Sequence, residues 1–224
     1  MKAIFINCSP RKNKNTAQML ESAMRGAQES GAEAELIHLQ DLTFKGCVSC
    51  FACKRKGSTA NGLCAYKDDL RPVLEKILAA DVLVLGTPVY YSYPSGMFRN
   101  LMERLMFPIL TYDSDGKGGT IKTLEKKLQT AIIYTMNCSR ELSEKFNYPA
   151  ILAPDRQYLE LHFGHCEVLS AYSTYQFPDY SKYRCSGIDV AEREYIREHQ
   201  FPIDLQNAFE MGKRLVEQAK AAKV

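Results

Sequence analysis

Lys2–Thr16 reads KAIFINCSPRKNKNT, a short apolar run that stops abruptly in small, polar and basic residues. Ala3–Ile6 has the continuous apolar character of a strand buried on both faces, and Asn7-Cys8-Ser9-Pro10 is the turn that leaves it. Arg11–Thr16 bring charge, amides and a hydroxyl to the place where a helical pattern begins. Ala17, Leu20, Ala23/Met24 and Ala27 then recur at three- and four-residue spacing as far as Ser30, and Gly31 stops the pattern. A helix start carries unpaired N–H groups and a partial positive charge, so a phosphate is a natural guest there. The spaced glycines of a dinucleotide fingerprint are missing. Read alone, the stretch is equally an ordinary strand–loop–helix connection with solvated lysines.

Downstream the same alternation repeats. Ala34–Leu39 reads as a second strand, followed by a long cysteine-bearing connection, Asp41–Asp68, broken by Gly46, Gly57 and Gly62. Asp68 or Asp69 caps a helix over Leu70–Ala80, with Pro72 tolerated in its first turn. Asp81–Gly86 (DVLVLG) is a third, fully apolar strand that ends in Thr87–Pro94, a rigid aromatic loop. A helix from Ser95 to Phe107 buries Met97, Met102 and Met106 among other apolar residues, and Thr111–Thr120 is a glycine-rich surface loop. Leu128–Met136 is the fourth strand, and helical segments fill Arg140–Phe163 with interruptions at Pro149 and Pro154. Glu167–Ala171 is the fifth strand. An irregular, tyrosine-rich excursion occupies 172–201, with helix around Val190–Glu198, and a last helix follows Pro202. Five apolar strands alternating with helices predict an α/β protein with a parallel sheet, right-handed crossovers and helices on both faces. In such sheets ligands bind beyond the carboxyl ends of the strands. Ser9–Thr16, Thr87–Pro94 and Thr135–Ser139 would therefore converge on one site.

With 224 residues and 46% hydrophobic content, the chain can bury a full core as a single domain over 1–224. A net charge of +3 without any long basic block does not favour nucleic acid as a partner. No apolar run approaches the roughly 20 residues that span a bilayer, and the N-terminus is unlike a signal peptide. No membrane association and a cytoplasmic location are the resulting expectations.

With the three loops in place, the chain resembles the flavodoxin-like NADPH-dependent FMN reductases, in the branch related to iron–sulfur flavoproteins and tryptophan-repressor-binding-type quinone reductases. The matching pieces are Asn7-Cys8-Ser9-Pro10-Arg11 with Asn15-Thr16, then Gly46-Cys47-x-x-Cys50-x-x-Cys53, and Lys67-Asp68-Asp69. Gly86-Thr87-Pro88-Val89-Tyr90 and Ser95-Gly96-Met97 with Arg99 complete the set, which covers about residues 1–140. The resemblance implies a three-layer α/β/α fold with a five-stranded parallel sheet in the order 2-1-3-4-5, and FMN as cofactor. Ser9, Arg11, Asn15 and Thr16 would hold the phosphate. Pro88, Val89, Tyr90 and Tyr91 would lie along the ring, with Tyr93 adding aromatic contact, Ser95 and Gly96 closing that side and Asn137 reaching it from the fourth-strand loop. Hydride would pass from NAD(P)H to the flavin and on to a quinone-like acceptor; Tyr90 is the nearest candidate acid. Relatives of this type form dimers or tetramers, and Tyr172–Tyr183 would suit such a contact or shield the flavin. Two other readings remain open: an electron-transfer flavoprotein fed by ferredoxin, and a cofactor-free binding module of the same fold.

Four of the eight cysteines, Cys47, Cys50, Cys53 and Cys64, crowd into eighteen residues, which in a cytoplasmic protein points to metal or redox chemistry before disulfides. In iron–sulfur flavoproteins a compact run of this kind binds a [4Fe–4S] cluster. Here ten residues separate Cys53 from Cys64, and a four-cysteine zinc site usually has two separate knuckles. Reduced thiols packed without metal are the preferred reading. His162, His165 and Cys166 look like a metal triplet, but a histidine at a helix end beside Gly164 meets the helix dipole instead. His38 and His199 have no support as catalytic groups. Lys54-Arg55-Lys56 reads as a solvated loop before it reads as a site for a nicotinamide 2′-phosphate.

Overall fold

Alternation along the central strands sorts the core into two layers. In a computed structural model that describes residues 1–114, 116, 120–122 and 124–223, strand β1 (Lys2–Asn7) sends Ala3 and Phe5 to one face and Ile4 and Ile6 to the other. Helix α1 (Asn15–Glu29) leads to β2 (Glu33–His38), and α2 (Leu70–Ala79) leads to β3 (Val82–Tyr90). A two-residue strand β4 (Tyr93–Pro94) precedes α3 (Gly96–Met106), and β5 (Leu110–Ser114) pairs with β6 (Thr120–Lys122) as a separate hairpin. The chain continues through β7 (Leu128–Thr135), α4 (Arg140–Lys145), α5 (Tyr148–Phe163), β8 (Gly164–Ala171), α6 (Val190–Tyr195) and α7 (Phe201–Ala221).

The main sheet runs β2-β1-β3-β7-β8, with all four of these pairings parallel. Counting its parallel strands alone, this is the expected order of second, first, third, fourth, fifth. Large side chains of α2, α3 and α5 (Leu74, Ile77, Phe98, Leu101, Leu159, Phe163) cover one face. The other face is covered by α1 and α7, whose contact residues mix Met19, Leu20, Met211 and Leu215 with alanines. Glycine has a purpose at two points of their crossing. A Cβ on Gly26 would lie 2.0 Å from the Phe209 carbonyl oxygen, and one on Gly212 would lie 1.9 Å from that of Ala23. The two helices therefore touch backbone to backbone, a contact that the sequence periodicity did not reveal.

Two connections differ from the sequence expectation. Part of the expected surface loop Thr111–Thr120 is the β5–β6 hairpin; Asp115, Lys117, Gly118 and Gly119 lie outside the described residues. Thr87–Pro94 is a continuation of β3, which folds back through Tyr91-Ser92 so that Val89 pairs with Pro94 and Tyr90 with Tyr93. Tyr91 and Ser92 both have positive φ, at 48° and 73°. A two-residue hairpin needs that conformation at both central positions, which Gly or Asn normally supply. Ser92→Gly is accordingly expected to raise stability by about 1 kcal/mol, measurable by urea unfolding; a loss of stability would show that the Ser92 side chain holds the turn.

Candidate active site

At the end of β1 the chain turns on its own side chains. Asn7 Oδ1 accepts from the Ser9 amide at 3.0 Å, and Ser9 Oγ accepts from the Arg11 amide at 3.1 Å. The Asn7 amide group also meets His38 Nδ1 at 3.0 Å, which gives that histidine a structural role. Ser95 Oγ donates to the Cys8 carbonyl at 2.7 Å and accepts from Phe98 N at 3.3 Å, so it caps α3 while bracing the first loop. The Ser95 amide in turn donates to Thr87 Oγ1 at 3.1 Å. Thr16 and Thr135 share a hydrogen bond of 2.7 Å between their hydroxyls, which joins α1 to the end of β7. The three loops expected to converge are thus physically linked, and Thr87 and Thr135 are the linking residues that sequence reading did not single out.

The start of α1, like those of α2, α5 and α7, has no side-chain hydrogen bond from its capping residue. Ser95, Ser139 and Asp189 cap α3, α4 and α6 with side-chain hydrogen bonds. At α1, Lys14 occupies the capping position without one, and no acidic residue lies in the first turn. The free N–H groups and the partial charge at that terminus are left for an anion, with Arg11, Lys12 and Lys14 around them. Lys12 is occupied by Asp41 at 2.7 Å.

The Arg11 and Asn15 side chains, expected at a phosphate, have partners within the protein. Arg11 donates to the Gln176 carbonyl at 3.0 Å and its side-chain oxygen at 3.2 Å, and Asn15 Nδ2 donates to the Tyr175 carbonyl at 2.9 Å. The segment after β8 is therefore tied onto the first loop. It is also tied to the loop after β7, through Ser173 N to the Cys138 carbonyl at 2.9 Å and Thr174 N to that of Met136 at 3.0 Å. Residues so far apart in the chain carried no sequence signal for this junction.

On the opposite side, Pro88 lies within β3 opposite Thr135. Tyr90, Tyr91 and Tyr93 project from the hairpin, Tyr91 being 98% exposed. The space where a Gly96 side chain would stand is open, and Asn137 is exposed, with its carbonyl held by Arg193 at 3.2 Å. The rings of Tyr172–Tyr183 pack largely on one another, with Phe177 stacked on Tyr183 at 4.1 Å and Tyr180 edge-on to Tyr175 at 4.9 Å.

The cysteine connection forms a second centre. Cys47, Cys50, Cys53 and Cys64 line one small cavity with Phe51 and Phe107. Arg104 of α3, only 1% exposed, closes it. Its Nε donates to Cys64 Sγ at 2.9 Å, its two Nη groups fork onto Asp68 at 2.8 and 3.0 Å, and they also reach the Lys45 and Tyr66 carbonyls at 2.9 and 3.1 Å. All five guanidinium N–H donors are therefore used. Ser49 and Phe51, on either side of Cys50, are held in the left-handed region at φ 52° and 54°, a conformation that costs non-glycine residues free energy and concentrates at sites. Lys54 is not a solvated loop residue: its ammonium meets the Phe107 and Leu110 carbonyls at the end of α3 and lies over the Phe107 ring. Among the described residues, no three His, Cys, Asp or Glu side chains are grouped so as to hold one metal ion.

Asp68 accepts from Leu70 N at 3.2 Å, as a cap would, but its larger role is opposite Arg104. Burial pushes its carboxyl pKa up, and the Arg104 hydrogen bond and charge outweigh that, leaving it below the usual carboxylate value. A lowered folded pKa contributes stability above the unfolded value of about 3.9, lost as pH falls through the folded value. Asp68→Asn is expected to flatten the acid limb of stability below about pH 4, read by urea unfolding against pH; an unchanged limb would assign acid sensitivity elsewhere. His162, in the last turn of α5, has its pKa lowered by burial and then by Lys122 and Lys54. It is a buried neutral ring, and the dipole explanation expected for it is corrected.

Residues 1–133 match the NADPH-dependent FMN reductase family. An iron–sulfur flavoprotein of Archaeoglobus fulgidus is 42% identical over 104 residues, 46% of this chain and 48% of that protein. An FMN-dependent NADPH-azoreductase of Staphylococcus aureus is 27% identical over 110 residues, 47% of this chain and 52% of that protein. The chain spans about half the length of the curated relatives it matches. Among solved structures, an NAD(P)H:quinone oxidoreductase from Methanothermobacter marburgensis superposes with a TM-score of 0.65 at 18% identity, over 96% of this chain and 98% of that one, a likeness of fold.

Proposed function

Because the chain belongs to the NADPH-dependent FMN reductase family, we propose that it is an oxidoreductase that binds FMN beyond β1, β3 and β7 and carries reducing equivalents from NAD(P)H to a small acceptor. The observation that carries this reading is the uncapped, acid-free start of α1 beside two buried hydroxyls and a guanidinium. That donor set fits a phosphate: free N–H groups at the helix end, Ser9, Thr16 and the Arg11 charge, with no carboxylate in the first turn. Asn15 positions the loop through Tyr175. Pro88, Val89, Tyr90 and Tyr91 would flank the ring, and the hairpin keeps their backbone fixed. Ser95 acts through its bond to Cys8, and Gly96 and Asn137 leave the adjoining space open. When bound, FMN supplies hydride acceptance and electron release; the protein supplies position, a phosphate counter-charge and a wall of tyrosines. Tyr90, at the rim, is the nearest side-chain proton donor.

The test is the absorbance spectrum. We expect a yellow protein, or one that binds added FMN, bleached anaerobically by NADPH or NADH. Flavin left oxidised by both nucleotides would overturn the reductase assignment; a colourless chain that cannot be reconstituted would leave a cofactor-free binding module.

A second reading rests on the cysteine cavity. Four thiols line one cavity, and four cysteines are the ligand set of a [4Fe–4S] cluster. In this reading Cys47, Cys50, Cys53 and Cys64 hold the cluster and ferredoxin is a further electron source. Iron and sulfide assay of anaerobically purified protein tests it, and fewer than about one iron per chain would end it. No described helix is long and apolar enough to cross a membrane.

A further inference from the structure

We propose that Arg104 is a positioning residue of the cysteine centre: it fixes Cys64 as the preset sulfur of the cavity and favours the reduced state of the group held there. The inference rests on the cluster reading given above. Three observations support it. Cys47, Cys50 and Cys53 lie within one short strained segment, whereas Cys64 joins them from across the loop. The Cys64 carbonyl is held by Arg71 at 2.6 Å, but its sulfur is held at the cavity by a buried N–H···S bond of 2.9 Å, from a guanidinium whose other four donors lock Lys45, Tyr66 and Asp68. Those partners sit on both sides of the cysteine run, so one side chain closes the whole connection. The arginine thereby offsets the ten-residue gap between Cys53 and Cys64, because the last sulfur is placed by α3 and not by local spacing.

The charge has a second effect. One-electron reduction adds negative charge to a cysteine-bound cluster without making or breaking a bond; in the experiment the electron comes from dithionite. A buried cation donating a hydrogen bond to a ligand sulfur stabilises the reduced form, since hydrogen bonds to sulfur and net charge set such potentials. Asp68 opposes it, being the carboxylate that neutralises the same guanidinium. The two residues should therefore shift the potential in opposite directions, which a purely structural role for either would not do.

The experiment is anaerobic reconstitution of the full chain with iron and sulfide, iron counting, and a dithionite titration followed by electron paramagnetic resonance, which reads only the loaded fraction. Arg104→Gln is expected to disfavour reduction about tenfold, a lowering of about 59 mV for one electron. Asp68→Asn, which leaves the arginine in place, is expected to favour reduction about threefold. Wild-type protein with fewer than about one iron per chain would overturn the cluster reading and this inference with it. Loaded variants whose titrations coincide with wild type, or both move the same way, would overturn the role of Arg104 alone. If Arg104→Gln does not fold, the direction of the Asp68→Asn shift decides: a lowering or no change overturns the proposal.

Discussion

Gly212→Ala will destabilise the protein by about 3 kcal/mol or more and lower its Tm by roughly 6–12 °C. Helix propensity alone predicts the opposite, since alanine in a helix interior is about 1 kcal/mol better than glycine. Geometry decides the sign. The new methyl would sit 1.9 Å from the Ala23 carbonyl oxygen, and that neighbour is backbone, which no rotamer change can move. α7 would have to lift from α1 along a contact that buries Met211, Leu215 and Val216. Gly26→Ala meets the Phe209 carbonyl in the same crossing at 2.0 Å. The double variant should therefore cost less than the sum of the two singles, because the helices separate only once. Thermal and urea unfolding measure both, and a Tm equal to or above wild type would show that the helices do not meet as described.

Arg11→Glu is expected to weaken FMN binding by at least about 100-fold, equivalent to about 2.8 kcal/mol. The substitution replaces the guanidinium with a carboxylate at the mouth of a helix terminus that has no other acid in its first turn. Arg11 also anchors Gln176, so a loss of binding could arise from the loosened segment. Gln176→Ala separates the two effects: it removes one of the anchor bonds and leaves the charge. We expect its FMN affinity within about threefold of wild type, by quenching of flavin fluorescence. A loss in Gln176→Ala matching that of Arg11→Glu would make Arg11 a tether and remove it from the phosphate site.

How much of this was legible in the sequence depended on the range of the interaction. Apolar runs marked the five parallel strands because each strand's burial is written in its own residues. The loops that meet beyond β1, β3 and β7 followed from where those runs stopped. Gly26 and Gly212 looked like ordinary helix residues, since the reason for them lies on a helix about 190 residues away in the chain. The same is true of Thr135 under Thr16 and of Gln176 under Arg11. The Thr87–Pro94 segment read as a loop because proline and three tyrosines hide an extension of β3 whose turn uses Tyr91 and Ser92 where glycine is usual. Lys54 and Asp68 were legible as charges, but their burial under α3 was not.

The tie between Arg11 and Gln176 spans 165 positions, and this has a consequence for how the protein is made. At about 5–20 residues per second on the ribosome, the first loop is synthesised on the order of 10–30 s before the segment that steadies it. Helix α1 waits longer still for α7. The loop that would receive the phosphate is thus translated well before the segment that secures it. The proposed loading of FMN there would follow synthesis of that segment, and a nascent chain stalled before residue 175 should hold none.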